Sequence, residues 1–452
     1  MMLKKGQRII MSRKTFIKGT LILTLAGILT KIFGFGCRIF LSRSIGAAGM
    51  GLYQLIMPVT AVCYAIGIAG PEVCVSRFCA AYAASKDHLR ARHTAVFCFG
   101  ISMILCIICT VLSYMGADII AGYIFHNPHV APLIRISVFS VPFACIHCLV
   151  CAYYISKERT VIPAVSQVFE QAVRLGAIYI IVHIAHNKGE EITAAVGVAG
   201  LVCGEIAAAL LCAAIVLTGR RKNIRTTRHP GIEVKQIIRT SIPVSLNRLA
   251  LHGMQSLEAA LIPLMLTVYG YSAQHSVAIF GILTGMAMPV ILFPSTLTGS
   301  VAQMLLPSVA KEQSSSDKLI KSSRMALVFS LAFGFICIIG YTTAGAVITA
   351  YVFDEPELAG YIRIMAWLCP FIFINTTYKS MLHALGQAGR VLLNSMLSEL
   401  ITIICIVFLI PRMGIYAYLL GLLASQAANS ALSICAFTRT VSRITTHKPL
   451  RS

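Results

Sequence analysis

Long, mainly apolar runs recur along the whole of this chain, and each is long enough to cross the hydrocarbon core of a bilayer as a helix. Backbone N–H and C=O groups in lipid have no water to bond, so such runs must be helical. A membrane β-barrel would show short segments of alternating polarity instead, and these are absent. Composition supports the reading. Of 452 residues, 57% are hydrophobic and only 12% are charged. A soluble domain carries about 25% charged residues, so this chain lacks the polar surface to cover a water-soluble fold.

Spans are expected near 15–41, 51–77, 93–115, 132–155, 160–185, 192–218, 238–268, 275–307, 324–350, 358–385, 390–411 and 414–438. The net charge of +22 does not form one basic patch, which argues against nucleic-acid binding. It falls in alternate loops. The N-terminal tail holds five Lys and Arg, loop 77–92 four, 157–159 two, 219–239 seven, 311–324 four, 379–390 two and the C-terminal tail four. The intervening loops hold only Arg43, Arg135, Lys188, Arg363 and Arg412. The positive-inside rule then places both termini in the cytoplasm and gives twelve spans of a multi-pass cytoplasmic-membrane protein. The first apolar run is about 27 residues, against 7–15 for a signal-peptide core, so residues 1–14 are read as a retained basic cytoplasmic tail.

The chain also repeats. Tyr123-Ile-Phe-His-Asn-Pro128 matches Tyr351-Val-Phe-Asp-Glu-Pro356, Ile134-Arg135-Ile136 matches Ile362-Arg363-Ile364, and Pro142-Phe143 matches Pro370-Phe371. All share an offset of 228, while Ser166-x-x-x-Glu170 meets Ser395-x-x-x-Glu399 at 229. Met57-Pro58-Val59 meets Met288-Pro289-Val290 at 231. A near-constant offset over several helices implies two copies of one six-helix unit. Because six is even, the copies share an orientation and are expected to be related by a pseudo-twofold axis along the membrane normal. The expected organisation is a lobe at 15–218, a basic cytoplasmic linker at 219–237, a lobe at 238–438 and a cytoplasmic tail at 439–452. The fold class is all-α. Ten prolines in or beside the spans, among them Pro58, Pro142, Pro289 and Pro370, suggest helices that bend.

Charges inside spans mark the candidate site, since each is costly in lipid unless it faces a cavity or a partner. In the first span, Thr20, Thr24, Gly27, Lys31, Gly34 and Arg38 recur at 4,3,4,3,4 spacing and share one small or polar face. Lys31 and Arg38 sit about 10 Å apart along the axis. This face is read as a cationic wall on a water-filled cavity; a packing seam with Arg38 snorkelling outward is the competing reading. In the seventh span Arg248, His252, Gln255 and Glu258 fall within one arc, either as cavity lining or as an internal network. In the fifth span Glu170 and Arg174 are spaced to pair, and Glu205 in the sixth is available to Arg174. Glu170, Arg174 and Glu205 form a candidate ion-coupling group. Glu72 and Glu399 are read as structural.

Sixteen cysteines lie almost wholly in apolar runs and are read as reduced packing residues. Cys145-x-x-Cys148-x-x-Cys151, with His147 inside it, has the look of a ligand run. A closed zinc site needs four converging ligands, so packing is the preferred reading and no metal is expected. His183 and His186 beside Glu190 and Glu191 are as weak. Gly200-x-x-x-Gly204 marks close helix packing. No G-x-x-x-x-G-K-[ST] phosphate loop and no extramembrane nucleophile-base group occurs, so neither an enzyme nor a cofactor is expected.

The stretch Lys18 to Gly27, Lys31-Ile-Phe-Gly-Phe-Gly-Cys-Arg-Ile-Phe-Leu-Ser-Arg43 and Ile45-Gly-Ala-Ala-Gly-Met-Gly-Leu-Tyr-Gln-Leu-Ile-Met-Pro58 resembles the opening of the stage V sporulation protein B-like, polysaccharide-biosynthesis branch of the MOP (MATE-like) flippase superfamily. Phe293 to Gly299, Leu306-Pro-Ser308 and Leu382-His-Ala-Leu-Gly-Gln387 carry the same resemblance. It implies a flippase for a lipid-linked oligosaccharide, with basic residues of the first helix meeting a diphosphate; Lys31 and Arg38 fall on that motif. The family's lipid II flippases have fourteen helices, the last two lining a groove for the lipid tail, whereas twelve are counted here.

The expected function is therefore movement of an undecaprenyl-diphosphate-type cell-wall or spore-cortex precursor across the cytoplasmic membrane by alternating access. The partners are that anionic glycolipid, membrane lipids and cell-wall synthesis enzymes. A MATE-type H⁺- or Na⁺-coupled multidrug antiporter is the alternative. It would need an embedded carboxylate in the first lobe, where the first helix has two bases and no acid. A non-transporting scaffold would need every polar stripe to be paired internally.

Overall fold

The computed structural model describes residues 13–218, 234–296, 298–299 and 316–446, and all regular structure among them is helical. The basic segment 219–233, the tails before 13 and after 446, and the motif residues 306–308 lie outside the described residues. Among the described residues, eleven helical stretches are long and apolar enough to cross a membrane. Ten of them coincide with one expected span each, and the first, Leu21–Gly67, runs from the first expected span into the second. The chain is an all-α, multi-pass membrane protein.

Helix α1 (Arg13–Tyr64) leaves helical dihedrals once, at Gly46, with φ 66° and ψ −176°. That region of backbone space is open essentially to glycine alone, so two helices meet there at a kink. A π-turn at Ala65–Ala69 leads into α2 (Gly70–Ala84). Next come α3 (His88–Met115), α4 (Val130–Ser137), α5 (Ser140–Ser156), α6 (Val161–Lys188) and α7 (Ala195–Thr218). Asp87 caps α3 by accepting from the Arg90 amide at 3.1 Å, and Gly189 ends α6 in the left-handed region.

Helix α8 (Val234–Tyr269) precedes α9 (Ala273–Phe280), a π-segment at Gly281–Ala287 and α10 (Met288–Leu292). The chain continues with α11 (Ser316–Ile348), α12 (Leu358–Met365), α13 (Cys369–Ala384), α14 (Ala388–Met413) and α15 (Ile415–Thr446). The expected spans 132–155 and 358–385 are each broken near a proline, Pro142 and Pro370, where the missing N–H cannot continue the ladder.

The sequence repeat is a repeat of backbone. A π-turn at Ile120–Ile124 is followed by His126 at φ 51°, and one at Thr349–Phe353 by Asp354 at φ 57°. The short helices α4 and α12 that follow lie 228 residues apart at both ends and carry Arg135 and Arg363 in their last turns.

By packing, the chain divides into two compact units. One comprises Met1–Cys37, Val59–Asp118 and Ala131–Leu249; the other comprises Arg38–Pro58, Ile119–Val130 and Ala250–Ser452. The first has a core rich in thiols, with Cys63, Cys74, Cys79, Cys98, Cys106 and Cys145 among Ile68, Val75, Val141 and Leu149. These cysteines pack as small hydrophobes, and none of the sixteen is in a disulfide. In the second unit Leu319, Ile374, Tyr378, Met381, Leu382 and Phe437 form the corresponding core. There glycines permit backbone contact: a Cβ on Gly51 would lie 2.0 Å from the Val277 carbonyl oxygen, and one on Gly281 2.2 Å from that of Ala47.

Candidate functional site

Lys31 and Arg38 both lie on α1 before the Gly46 kink. Lys31 is exposed and Arg38 half-buried, on a face whose Gly27 and Gly34 leave the backbone uncrowded. A Cβ on Gly27 would meet nothing within 4 Å, and one on Gly34 only Gln171 Oε1 at 3.6 Å.

In the first unit, α5, α6 and α7 assemble a buried polar group. Gly200 and Gly204 make it possible. A Cβ on Gly200 would sit 2.3 Å from Ile178 Cγ1, and one on Gly204 3.0 Å from the Glu170 carbonyl oxygen, so α7 approaches α6 almost backbone to backbone. Glu205 is thereby set beside the polar face of α6. Arg174 Nη2 donates to Glu170 Oε1 at 2.5 Å, and Gln171 Nε2 donates to the same oxygen at 3.0 Å. His147 of α5 completes the group, with Nδ1 3.6 Å from Glu170 Oε2 and 3.6 Å from Glu205 Oε2. His147, Glu170 and Glu205 are all buried. Arg174 pairs with one of the two carboxylates, which offsets part of the cost of burying that charge at this depth. Sequence reasoning found Glu170, Arg174 and Glu205 but placed His147 among packing cysteines. The missed signal was its repeat partner: an offset of 228 puts Asn375, a polar residue, opposite it.

The residues of α8 separate by partner. Arg248 lies within electrostatic range of Glu72 in the first unit. His252 Nδ1 meets Gln255 Oε1 at 3.0 Å. Glu258 turns into a cavity of the second unit of about 340 Å³, where Tyr418 donates to its Oε1 at 3.0 Å. Asn375 and Lys379 of α13, Glu399 of α14 and Gln426 of α15 line the same cavity. Asn375 Nδ2 donates to Gln426 Oε1 at 2.8 Å. Glu399 and Lys379 are thus cavity residues that sequence reasoning did not assign to a site. Each copy of the repeat therefore carries an amide or imidazole and a glutamate at matching positions, His147 with Glu170 and Asn375 with Glu399.

A sequence model described as polysaccharide biosynthesis protein matches residues 16–313, well over half of the chain. The chain belongs to the polysaccharide biosynthesis protein family. Within reach of this family lies stage V sporulation protein B of Bacillus subtilis (strain 168), 26% identical over 428 residues that cover 92% of this chain and 82% of that protein. Among solved structures, the lipid II flippase MurJ in an inward closed conformation superposes with a TM-score of 0.69 at 13% identity, covering 94% of this chain and 90% of that one. An inward-facing multidrug-resistance MATE transporter of the MOP superfamily also gives 0.69, at 14% identity, with 93% and 96% covered. At these identities the structural likeness is one of fold, and the family member described here has a MATE-like helical architecture. Those structural neighbours are described as a lipid II flippase and a multidrug transporter.

Proposed function

We propose that this chain moves a lipid-linked, anionic glycan precursor of the undecaprenyl-diphosphate type, for cell wall or spore cortex, across the cytoplasmic membrane by alternating access. One observation carries the substrate class: α1 presents Lys31 and Arg38 on its small and polar face and no acid. A diphosphate supplies paired acceptors for such bases, and charge-assisted contacts are the strong ones. A cationic drug would be repelled there. Family membership, the sporulation protein relative and the fold shared with a lipid II flippase support the same reading.

Glu170, Arg174 and Glu205 are proposed as an ion-responsive group that biases the conformational change. His252, Gln255, Arg248 and Glu258 are proposed as polar lining along the substrate's route. We also propose cytoplasmic termini, on the loop charges, sequence lobes at 15–218 and 238–438, and cell-wall synthesis enzymes as recipients of the product.

Purified protein in proteoliposomes with fluorescent lipid II tests this. Protein-dependent arrival of label in the far leaflet, strongly reduced in Lys31→Ala, is expected. Absence of flipping, with an ethidium gradient built at the expense of an H⁺ or Na⁺ gradient, would assign the chain to the antiporters instead.

A further inference from the structure

The ring of His147 has two faces. Its Nδ1 side meets the carboxylates of Glu170 and Glu205. Its Nε2 side meets neither. It faces a separate set of groups: Ser166 Oγ at 3.2 Å and the thiols of Cys151 and Cys212. A ring nitrogen of His147 and the two sulfurs all lie within 4.8 Å of one another, and Nε2 is the nitrogen on the Ser166 side. Ser166 Oγ is also 3.2 Å from Cys151 Sγ, so the hydroxyl adjoins the donor triangle. All four residues are buried, with Ser166 and Cys212 at 0% exposure. They come from three helices, His147 and Cys151 one turn apart on α5, Ser166 on α6 and Cys212 on α7.

We propose that His147 Nε2, Cys151 and Cys212, with Ser166 as the fourth donor, bind one divalent, thiophilic metal ion of the zinc class. Three arguments converge. Two thiolates and one imidazole are the three protein ligands of Cys2His zinc sites, whose fourth tetrahedral position takes an oxygen, with Zn–S near 2.3 Å and Zn–N near 2.0–2.1 Å. Donor atoms already within 4.8 Å of one another would draw in around the ion. Secondly, a metal-bound histidine characteristically donates its other N–H to a carboxylate, which holds the ring in the ligating tautomer. Glu170 and Glu205 stand at that nitrogen, and Glu205 Oε2 is buried with no hydrogen-bond partner among the described residues. Thirdly, the charge closes. Binding expels the two thiol protons, and a divalent ion on two thiolates is neutral, which a low-dielectric site favours. A monovalent ion would leave a net negative charge.

The carboxylate side of the ring, where His147, Glu170 and Glu205 also converge, is the weaker candidate. The Arg174 guanidinium, 2.5 Å from Glu170, already places a positive charge there. The run Cys145-x-x-Cys148-x-x-Cys151 is thus not itself a ligand set. Of its thiols only Cys151 faces the site, and the other sulfur comes from a helix some sixty residues further on. The ion would clamp α5, α6 and α7 together and aim the His147 N–H at the glutamates.

The test uses the full chain, purified in detergent and stripped with a chelator. Titration with Co(II) should load one equivalent and give a sulfur-to-cobalt charge-transfer band with the visible bands of tetrahedral cobalt; Zn(II) should bleach both. Cys151→Ser and Cys212→Ser should each abolish the charge-transfer signal, while Cys148→Ser keeps it. Glu205→Gln should keep the spectrum and weaken affinity by about 10–100-fold, as outer contacts to a ligating histidine do. X-ray absorption of the zinc-loaded wild type, which needs no variant, should show two sulfur scatterers. Cobalt bound without a sulfur band, a band that survives the Cys151→Ser/Cys212→Ser double substitution, or a zinc shell of nitrogen and oxygen alone would overturn the proposal.

Discussion

Lys31 is where a single atom group has most to do with substrate. If its ammonium meets a phosphate, its loss removes one charge-assisted hydrogen bond worth about 1.5–3 kcal/mol. Lys31→Ala should therefore lower flipping of fluorescent lipid II at subsaturating substrate by about 10–100-fold, while Lys31→Arg keeps most of it. Equal rates for all three chains in proteoliposomes would remove Lys31 from the site. Arg174 plays a different part. Its guanidinium is bonded to Glu170 at 2.5 Å in a buried setting. Arg174→Ala strands a buried carboxylate, which is expected to destabilise the fold by about 3–5 kcal/mol. Adding Glu170→Gln should recover most of that loss. Thermal melts of the single and double variants in detergent measure the recovery, and an Arg174→Ala chain as stable as wild type would contradict the pairing.

At the scale of elements, two glycines decide geometry. Gly46 holds φ 66° and ψ −176°, a conformation that an L side chain adopts only at a cost of about 1–3 kcal/mol. Gly46→Ala should lower the melting temperature and reduce transport, since the α1 kink orients the segment carrying Lys31 and Arg38; an unchanged melt would show that the kink is not needed. Gly200 sets the α6–α7 contact. Its Cβ would lie 2.3 Å from Ile178 Cγ1, so Gly200→Ala should destabilise by about 1–3 kcal/mol through overpacking. Because the obstacle is a side chain, Ile178→Ala in the same chain should relieve the clash, and the melt of the double variant checks it. The same glycine spacing was legible in the sequence as a packing motif. That it delivers Glu205 to His147 was not, because a spacing rule names a face of one helix and not the residue opposite.

For the molecule as a whole, the loop charges make a checkable statement about topology. A fluorescent-protein fusion at the C-terminus should light up, and a periplasmic-type phosphatase inserted after Glu191 should be active; the reverse pair would invert the orientation. The repeat offers a second view at this scale. The 228-residue offset recurs in the left-handed residues His126 and Asp354 and in the limits of α4 and α12, and the π-turns before them match at 229. Duplication has kept the backbone while the polar residues diverged, His147 and Asn375 being one such pair.

What the chain wrote openly was whatever depends on solvation along one dimension. Bilayer thickness sets the length of an apolar run, and backbone satisfaction makes it a helix. Helical periodicity then gathers Lys31 and Arg38 on one face, and an internal offset reveals the duplication. Tertiary structure alone decided which buried groups meet. Cys212 joins Cys151 across two helices, Glu399 enters the cavity of Glu258, and His147 leaves its cysteine run to stand between two carboxylates and two thiols. These meetings depend on how closely one helix lies on another and at what rotation. That is set by the glycines and small side chains of both partners together, so no single segment contains it.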